Sequence, residues 1–397
     1  MIPDNAGIEI DVKLQPLPEI SALESDWESV YGRSRASYFT SWGWIGTWIS
    51  ALPATVSPQL LVARHAGATV GLAVVVARHF RRHFVVRSRG FYLHETGDPA
   101  LDHALTIEHN GFVACQDMER DVAHAFIRYL SRQTQGWDEL FLSGISHGIP
   151  FQGITECFGS PARLEVTRTR PYYYVDLAAL RERGADYLSV LNSNTRQQLR
   201  RALRKYEQSG PLAIVEPGTT DEALKFLDDL EALHQDNWTQ RGEPGAFASP
   251  YFRNFHRRLI TTRFSRGEVQ LLRITVGEKT IGYLYNFVLN GRVYAYQNGF
   301  CYDADPVLKP GYVSHFLAIQ HNLARGASVY DFLAGDMRYK KSLSDQSGEM
   351  QWMVVRREKL MFSIERWLRR LKQNYMASRA RDVQGAKRVS AVNPEKP

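Results

Sequence analysis

The predicted secondary structure of this chain follows one order twice, once in each half. Each half contains a strand, two helices, three strands typical of an antiparallel run, another helix and a closing strand. In the second half, Asn290-Gly291 separates two alternating apolar runs, which is a strong signal for a two-residue hairpin. This order predicts an α+β protein whose halves each carry a mixed, largely antiparallel sheet flanked by helices.

The chain is long enough for two domains, because its 397 residues exceed what one hydrophobic core normally organises. We expect an N-terminal domain over residues 1–165 and a C-terminal domain over 166–355. Residues 356–378 are predicted to form a basic amphipathic helix, which either packs on the second domain or makes a peripheral contact with an anionic membrane surface. Residues 379–397 are polar and aperiodic, so we expect a disordered tail.

Composition excludes several classes of protein. The formal charge is +7, but the 42 residues from Arg356 onward hold 12 Lys/Arg against 4 Asp/Glu, so the rest of the chain is nearly neutral. The three cysteines form no CxxC pair, and we expect no metal. The N-terminus lacks a signal-peptide pattern, and the longest apolar run, 70–77, is far shorter than the roughly 20 residues of a membrane helix. We therefore expect a cytoplasmic protein.

Two segments carry a family resemblance, the run DFLAGDMRYK at 331–340 and the basic stretch NSNTRQQLRR at 192–201. They resemble the C-terminal domain of GCN5-related (GNAT) acetyltransferases of the CelD-like and FemAB-like branch. The resemblance is strong over 170–345 and looser over the first 165 residues, where HETGD at 94–98 is also typical of that branch. It implies two tandem GNAT-like domains, the first of them degenerate, and transfer of an acyl group from a thioester to an amine.

The donor site is predicted at the turn Lys309-Pro310-Gly311, which precedes a helix. A helix N-terminus offers free N–H groups to phosphate, and Gly311 permits a close approach. The resemblance places the pantetheine arm along the preceding strand, near Tyr296 and Asn298. The usual family loop has more than one glycine. The expected donor is therefore acyl-CoA or an acylated carrier protein, with aminoacyl-tRNA less favoured.

The candidate catalytic residues are two carboxylates, a tyrosine and a histidine. Asp331 or Asp336 would accept or orient the proton of the amine, and the sequence leaves open which one is the base. Tyr339 would donate a proton to the leaving thiolate, while Lys340 would hold an anion. His315 lies in the first turn of the helix after the donor turn, where we expect an imidazole to titrate near neutral pH.

Further substrate or carrier contacts are predicted on the helix that begins near Asn194. Arg196, Arg200 and Arg204 share one face at i, i+4 and i+8. Arginine suits phosphate and carboxylate groups, although such a face is more often simply solvated. The ligand of this face would be a phosphorylated donor, an acyl carrier protein or, less favoured, tRNA.

The polar loop 94–110 begins with His94 and Glu95, which we expect on the acceptor side, between the domains. The acceptor itself is predicted to be a small or carrier-bound amine. Two other functions stay open from the sequence. One is a FemAB-like transferase that depends on aminoacyl-tRNA. The other is a non-catalytic GNAT-like protein that supports exopolysaccharide production, a role in which some CelD-like proteins are placed.

Overall fold

The computed structural model describes residues 8–82, 86–133, 137–146 and 162–359, together with 362 and 364. Its first half follows the predicted order of elements. In chain order these are β1 (Asp11–Pro16), α1 (Ile20–Tyr31), α2 (Trp42–Ala51), β2 (Pro58–His65), β3 (Ala68–Arg82), β4 (Val86–Leu93), α3 (Pro99–Ala104), β5 (Val113–Ala114), α4 (Glu119–Gln133) and β6 (Glu139–Ile145).

A long strand, β7 (Ala162–Asp176), extends from the first half into the second, which then repeats the plan. The elements of the second half are α5 (Leu177–Glu182), α6 (Tyr187–Val190), α7 (Ser193–Glu207), β8 (Leu212–Val215), α8 (Thr220–Thr239), α9 (Pro250–Arg263), β9 (Val269–Val276), β10 (Lys279–Leu289), β11 (Arg292–Phe300), α10 (Pro310–Ala324), β12 (Val329–Ala334), α11 (Arg338–Leu343) and β13 (Gln346–Arg357). The predicted Asn290-Gly291 turn is confirmed, and both of its residues have positive φ.

The strands form one continuous sheet rather than two separate ones. Among the described residues its order is β1-β2-β3-β4-β6-β13-β7-β12-β11-β10-β9-β8, with β5 beside β3. Strand β7 leaves the first half and pairs with β12 of the second, whereas β13 leaves the second half and pairs with β6 of the first. The two strands also pair with each other along their length. The halves are thus joined by an exchange of strands.

This exchange bears on two predicted boundaries. The boundary between 165 and 166 falls inside β7, so no linker separates the domains there. The predicted helix was expected to begin at Arg356, but Arg356 and Arg357 belong to β13, because they complete its pairing with β6 and β7. Most of the remaining predicted helix and the whole predicted tail, residues 379–397, lie outside the described residues. Within the described part of the chain, no helix is long and apolar enough to cross a membrane.

The larger hydrophobic core is shared by the two halves. Phe39 and Trp44 of the first half stand edge-on to each other at a ring-centroid distance of 4.8 Å. Trp44 lies at the same distance from Phe255 on α9, and Tyr38 stacks on Phe287 of β10 at 4.5 Å. A second core on the opposite face of the sheet belongs to the second half alone and packs α7 and α10 on it. Burial across the shared core fixes the halves against each other.

Candidate active site

The two parallel strands of the second half separate shortly after they pair. Strands β11 and β12 pair only from Arg292 to Tyr294 and from Val329 to Asp331. Strand β11 then continues to Phe300, while β12 bends at Leu333, whose φ is 62°. A positive φ is uncommon in a leucine, and here its N–H donates to the Asp331 carboxylate at 2.8 Å. The separation leaves a gap between the strands, with the N-terminus of α10 near its mouth.

Tyr339 of α11 and Asn298 of β11 face each other in this gap. Their side chains are hydrogen-bonded, and the imidazole of His315 stacks on the Tyr339 ring at 5.5 Å and 16°. Burial raises the pKa of Tyr339, although the hydrogen bond from Asn298 acts in the opposite direction. The phenol therefore keeps its proton at neutral pH, the form that a proton donor requires.

His315 is buried behind Tyr339 on α10. Its Nδ1 lies 3.0 Å from the Tyr330 hydroxyl, and the residue is only 1% exposed. Burial, assisted by the charge of Lys340, lowers the pKa of His315 to about 3. The expectation that it titrates near neutral pH is therefore wrong. Its neutral ring supports Tyr339, and a direct catalytic role stays a prediction.

One side chain from each half holds the tip of β12. Lys340 donates through Nζ to the carbonyl oxygen of Ala334 at 2.7 Å, and Glu108 accepts the N–H of the same residue at 2.7 Å. Burial raises the pKa of Glu108 and lowers that of Lys340, while each charge favours the charged form of the other. Lys340 is thus a buried side chain bonded to the backbone beside the gap, not the solvated side chain that is usual for lysine.

Asp331 is fully enclosed by partners. Its carboxylate accepts from Arg292 at 2.7 Å, lies 3.1 Å from Nε2 of His109, and accepts the N–H of Leu333. Burial alone would raise its pKa, but His109 and Arg292 outweigh burial and hold the pKa below the usual range. Asp331 is therefore an ionised group at the joint between the halves, with both oxygens occupied.

Asp336 is the other predicted carboxylate, and it lies in a more open position. Its side chain is exposed, and among the described residues its one hydrogen bond is a long one of 3.5 Å from the Tyr173 hydroxyl. It follows Gly335 in the turn between β12 and α11, close to Tyr339 in the chain. Of the two predicted carboxylates, Asp336 is the one with oxygen atoms left to accept a proton.

The predicted donor turn lies at the start of α10. In the loop before it, backbone N–H groups donate hydrogen bonds to carboxylates of the same loop. The N–H groups of Asp305 and Val307 donate to the carboxylates of Asp303 and Asp305, at 3.0 and 2.8 Å. A Cβ on Gly311 would stand 3.1 Å from the Phe300 ring, a tight contact, so packing also favours a glycine there. These loop N–H groups are therefore already occupied.

Around the same turn, Lys309 and Pro310 have different environments. The Nζ of Lys309 lies over the Tyr312 ring at 5.5 Å, while Pro310 is buried at the first position of α10. Lys309 itself makes no side-chain cap with the helix. The first free N–H groups of α10 therefore remain beside a lysine ammonium, which suits an anion.

Tyr296 lies deeper along β11, within the aromatic core shared by the halves. Its ring lies 4.8 Å from Phe287 and 5.0 Å from His256. Burial raises its pKa, and the nearby carboxylate of Glu108 adds to the effect. Tyr296 therefore forms part of the wall between the donor gap and the first half.

The equivalent opening in the first half is filled by the chain itself. Strands β4 and β6 are parallel over Gly90–Tyr92 and Glu139–Phe141. Beyond this pairing, Asn110 donates through its side chain to Leu93 at 3.1 Å and through its backbone N–H to Gly144 at 2.9 Å. One residue thus bridges the two strands where a second gap would open. That the first domain is degenerate stays a prediction.

His94 contacts Asn110, the residue that fills this opening. Its Nδ1 lies 2.8 Å from Oδ1 of Asn110, the residue is 3% exposed, and burial lowers the pKa of its imidazole to about 4. The neighbouring Glu95 faces a different environment, formed by Ser143, Asp102 and Arg168. Burial and the negative charge of Asp102 raise the pKa of the Glu95 carboxyl to about 8.

Helix α7 presents the remaining predicted contacts. Its buried stripe is Thr195, Leu199, Ala202 and Tyr206, which leaves the arginine row on the solvent side. Asn194 is exposed and accepts from Gln198 at 2.8 Å, one turn along the helix. These residues are therefore outside the gap, on a separate surface. In the described part of the chain, no cluster of three His, Cys, Asp or Glu side chains could hold a metal.

Sequence reasoning missed two residues of the site, Glu108 and Arg292. Both act across long separations, since Glu108 contacts a residue 226 positions away and Arg292 one 39 positions away. The sequence signal for Glu108 was the polar block EHNG at 108–111, which marks the loop without revealing its partner. Arg292 carried no signal beyond its place at the start of a strand.

Comparisons with known proteins agree with this geometry. Residues 193–341 match the sequence model of the family described as acetyltransferase (GNAT) domain. FemX superimposes with a TM-score of 0.57 over 85% of this chain and 96% of FemX, at 9% identity. A conserved protein of unknown function from Bacteroides thetaiotaomicron gives 0.53 over 87% and 100%, at 10% identity. L-PGS from Bacillus licheniformis gives 0.50 over 88% and 94%, at 10% identity. No curated protein matches the sequence.

The separated parallel strands, the helix at their mouth and the matching family model define an acyltransferase domain in the second half. The match to the GNAT family lies within the second half, over residues 193–341. At these identities the likeness to FemX and the other solved structures shows the fold, which extends over both halves.

Proposed function

We propose that the second half transfers an acyl group from a pantetheine thioester to an amine. The observation that carries this proposal is the gap between β11 and β12, with Tyr339 and Asn298 facing each other inside it. A thioester arm lying along β11 would bring its sulfur towards the Tyr339 hydroxyl. Holding both reactants in such a gap lowers the barrier by about 7–11 kcal/mol in favourable cases.

Three side chains have separate roles in the reaction. The amine nitrogen attacks the thioester carbonyl carbon, the carbon–sulfur bond breaks, and Tyr339 gives its proton to the leaving thiolate. Asp336 takes the proton that the amine loses on attack. Lys340, buried beside the gap, offsets the negative charge that develops on the carbonyl oxygen.

The acceptor amine would enter from the side of the first half. Glu95, Asp102 and Glu108 lie on that side, and their carboxyl groups can hydrogen-bond an amine. Arg168 stands near Glu95 and Glu108 and stacks on Trp352 at 3.7 Å. The first half and the exchanged strands β7 and β13 therefore supply an acceptor wall with both signs of charge.

Measurements of donor binding and of turnover test two separate parts of this proposal. Native mass spectrometry of the full chain with acetyl-CoA, a long-chain acyl-CoA and an acylated carrier protein should show one bound donor. Release of free thiol with a panel of amines should then report turnover. Lys309→Glu should weaken donor binding, and it is a cleaner probe than Gly311→Val because valine would collide with Phe300. Binding of none of the three thioesters would overturn the proposal.

A transferase that uses aminoacyl-tRNA is the second candidate. The arginine row of α7 favours it, because arginine binds phosphate well. The nearly neutral charge of the chain before residue 356 speaks against it. Transfer that is lost after RNase treatment would establish this alternative.

A further inference from the structure

We propose that the exposed arginine row of α7 docks the acidic helix of an acyl carrier protein, which delivers its thioester to the gap between β11 and β12. This inference rests on the proposed acyl transfer from a pantetheine thioester. It adds the kind of molecule that carries the acyl group and the surface of this chain that binds that molecule.

The row borders a shallow, open groove between the side chains of α7 itself. Arg196, Arg200 and Arg204 lie at i, i+4 and i+8, so their guanidinium groups extend over about 12 Å of helix. The groove has a volume of about 520 Å³ and is lined by α7 alone, through Ser193, Arg196, Gln197, Arg200, Leu203, Arg204 and Glu207. Among the described residues, no carboxylate pairs with these three arginines, whereas Lys205 on the same helix does have a partner.

The row leads to the mouth of the gap. Lys205, next to Arg204, lies 3.6 Å from Asp305 in the loop before α10. Tyr206 packs against the same loop, since the charges of Asp303 and Cys301 act on its hydroxyl. A protein bound along α7 would therefore lie beside the donor loop, within the reach of a flexible pantetheine arm.

The donor loop itself is poorly suited to the nucleotide end of CoA. The Asp303 and Asp305 carboxylates occupy loop N–H groups and add negative charge where the pyrophosphate would lie. A carrier protein brings one phosphodiester on its arm and presents its other negative charges on a helix. Those charges are met by α7 rather than by the loop.

The composition of the groove favours a protein over RNA. Leu203 lies among the arginines and is only partly buried, so it offers an apolar contact in the middle of the charged row. The one aromatic residue of α7, Tyr206, faces the core and cannot stack on a base. A narrow face that mixes arginine with leucine complements an amphipathic acidic helix.

The test compares one acyl group on two carriers. For the wild type and for the triple variant Arg196→Glu, Arg200→Glu, Arg204→Glu, kcat/KM is measured with an acylated type II carrier protein and with the same acyl group on free pantetheine. We expect the carrier-to-pantetheine ratio to fall at least tenfold in the triple variant. The matched control is Arg201→Glu, an exposed arginine of the same helix that does not line the groove, and it should keep the wild-type ratio.

Direct binding distinguishes failure of docking from failure of the proposed reaction. Calorimetry with the holo carrier protein should show binding that weakens with salt and is lost in the triple variant. A neutral triple variant with glutamine at the three positions should also lose binding, which guards against misfolding caused by charge reversal. Binding that depends on the arginines without turnover of any thioester supports docking and overturns the acyl transfer. An unchanged ratio, or RNase-sensitive transfer from charged tRNA, overturns docking.

Discussion

His109 of the first half and Asp331 of the second lie 3.1 Å apart, between Nε2 and the carboxylate, and both side chains are shielded from solvent. Arg292 completes the cluster from β11. The two strands that shape the donor gap, β11 and β12, are therefore tied to each other and to the first half by one carboxylate. This couples the geometry of the site to the contact between the halves.

Removal of that carboxylate should destabilise the protein. Asp331→Asn leaves Arg292, whose side chain is 30% exposed, without its counter-charge, so the cost should lie below the cost of breaking a fully buried ion pair, about 3–5 kcal/mol. The folded-state pKa of Asp331 is depressed, so its contribution is present above the unfolded value near 4 and is lost as the pH falls through the folded value. Urea unfolding should show a larger difference between wild type and variant at pH 7 than at pH 3. Equal stability at pH 7 would contradict the assignment.

Tyr339 should control the chemical step rather than donor binding. Tyr339→Phe removes the proton for the thiolate and keeps the ring that stacks on His315, so kcat should fall by about 10²–10⁴ with little change in KM. Thiol release under saturating donor measures kcat. Tyr92→Phe, a tyrosine of β4 stacked on Phe141 in the first half, is the matched control and should keep full activity. A loss confined to KM would show that Tyr339 binds the donor instead.

The sequence predicted the second half better than the contact between the halves. The hairpin β10–β11 turns at Asn290-Gly291 as predicted, and helix α7 begins next to Asn194, because local patterns specify both elements. The exchange of β7 and β13 and the pairs His109–Asp331 and Glu108–Ala334 depend on tertiary contacts between distant residues. No local pattern encodes such pairs, so Asp331 was predicted from its motif without its partners.

The contribution of Glu95 to the free energy of unfolding should fall as the pH rises. Its folded pKa is about 8, above the ordinary value of 4.5, so its protonated form favours folding at low pH and this advantage is lost between those two values. Glu95→Gln resembles the protonated form at every pH. In urea unfolding at pH 5, 7 and 9, the free energy of unfolding of the variant should therefore increase relative to that of the wild type as the pH rises. A difference independent of pH would mean that Glu95 is ionised normally.

The filled opening in the first half predicts a single donor site per chain. Asn110 already joins Leu93 to Gly144 across the separated ends of β4 and β6, so no space remains there for a pantetheine arm. Asn110→Ala would leave the Leu93 carbonyl without this buried donor, at a cost of about 1–3 kcal/mol, rather than create a second site. Native mass spectrometry should thus count one thioester donor per chain in the wild type and in the variant. Two bound donors in the wild type would show that both halves are competent and that the loop 94–110 moves aside.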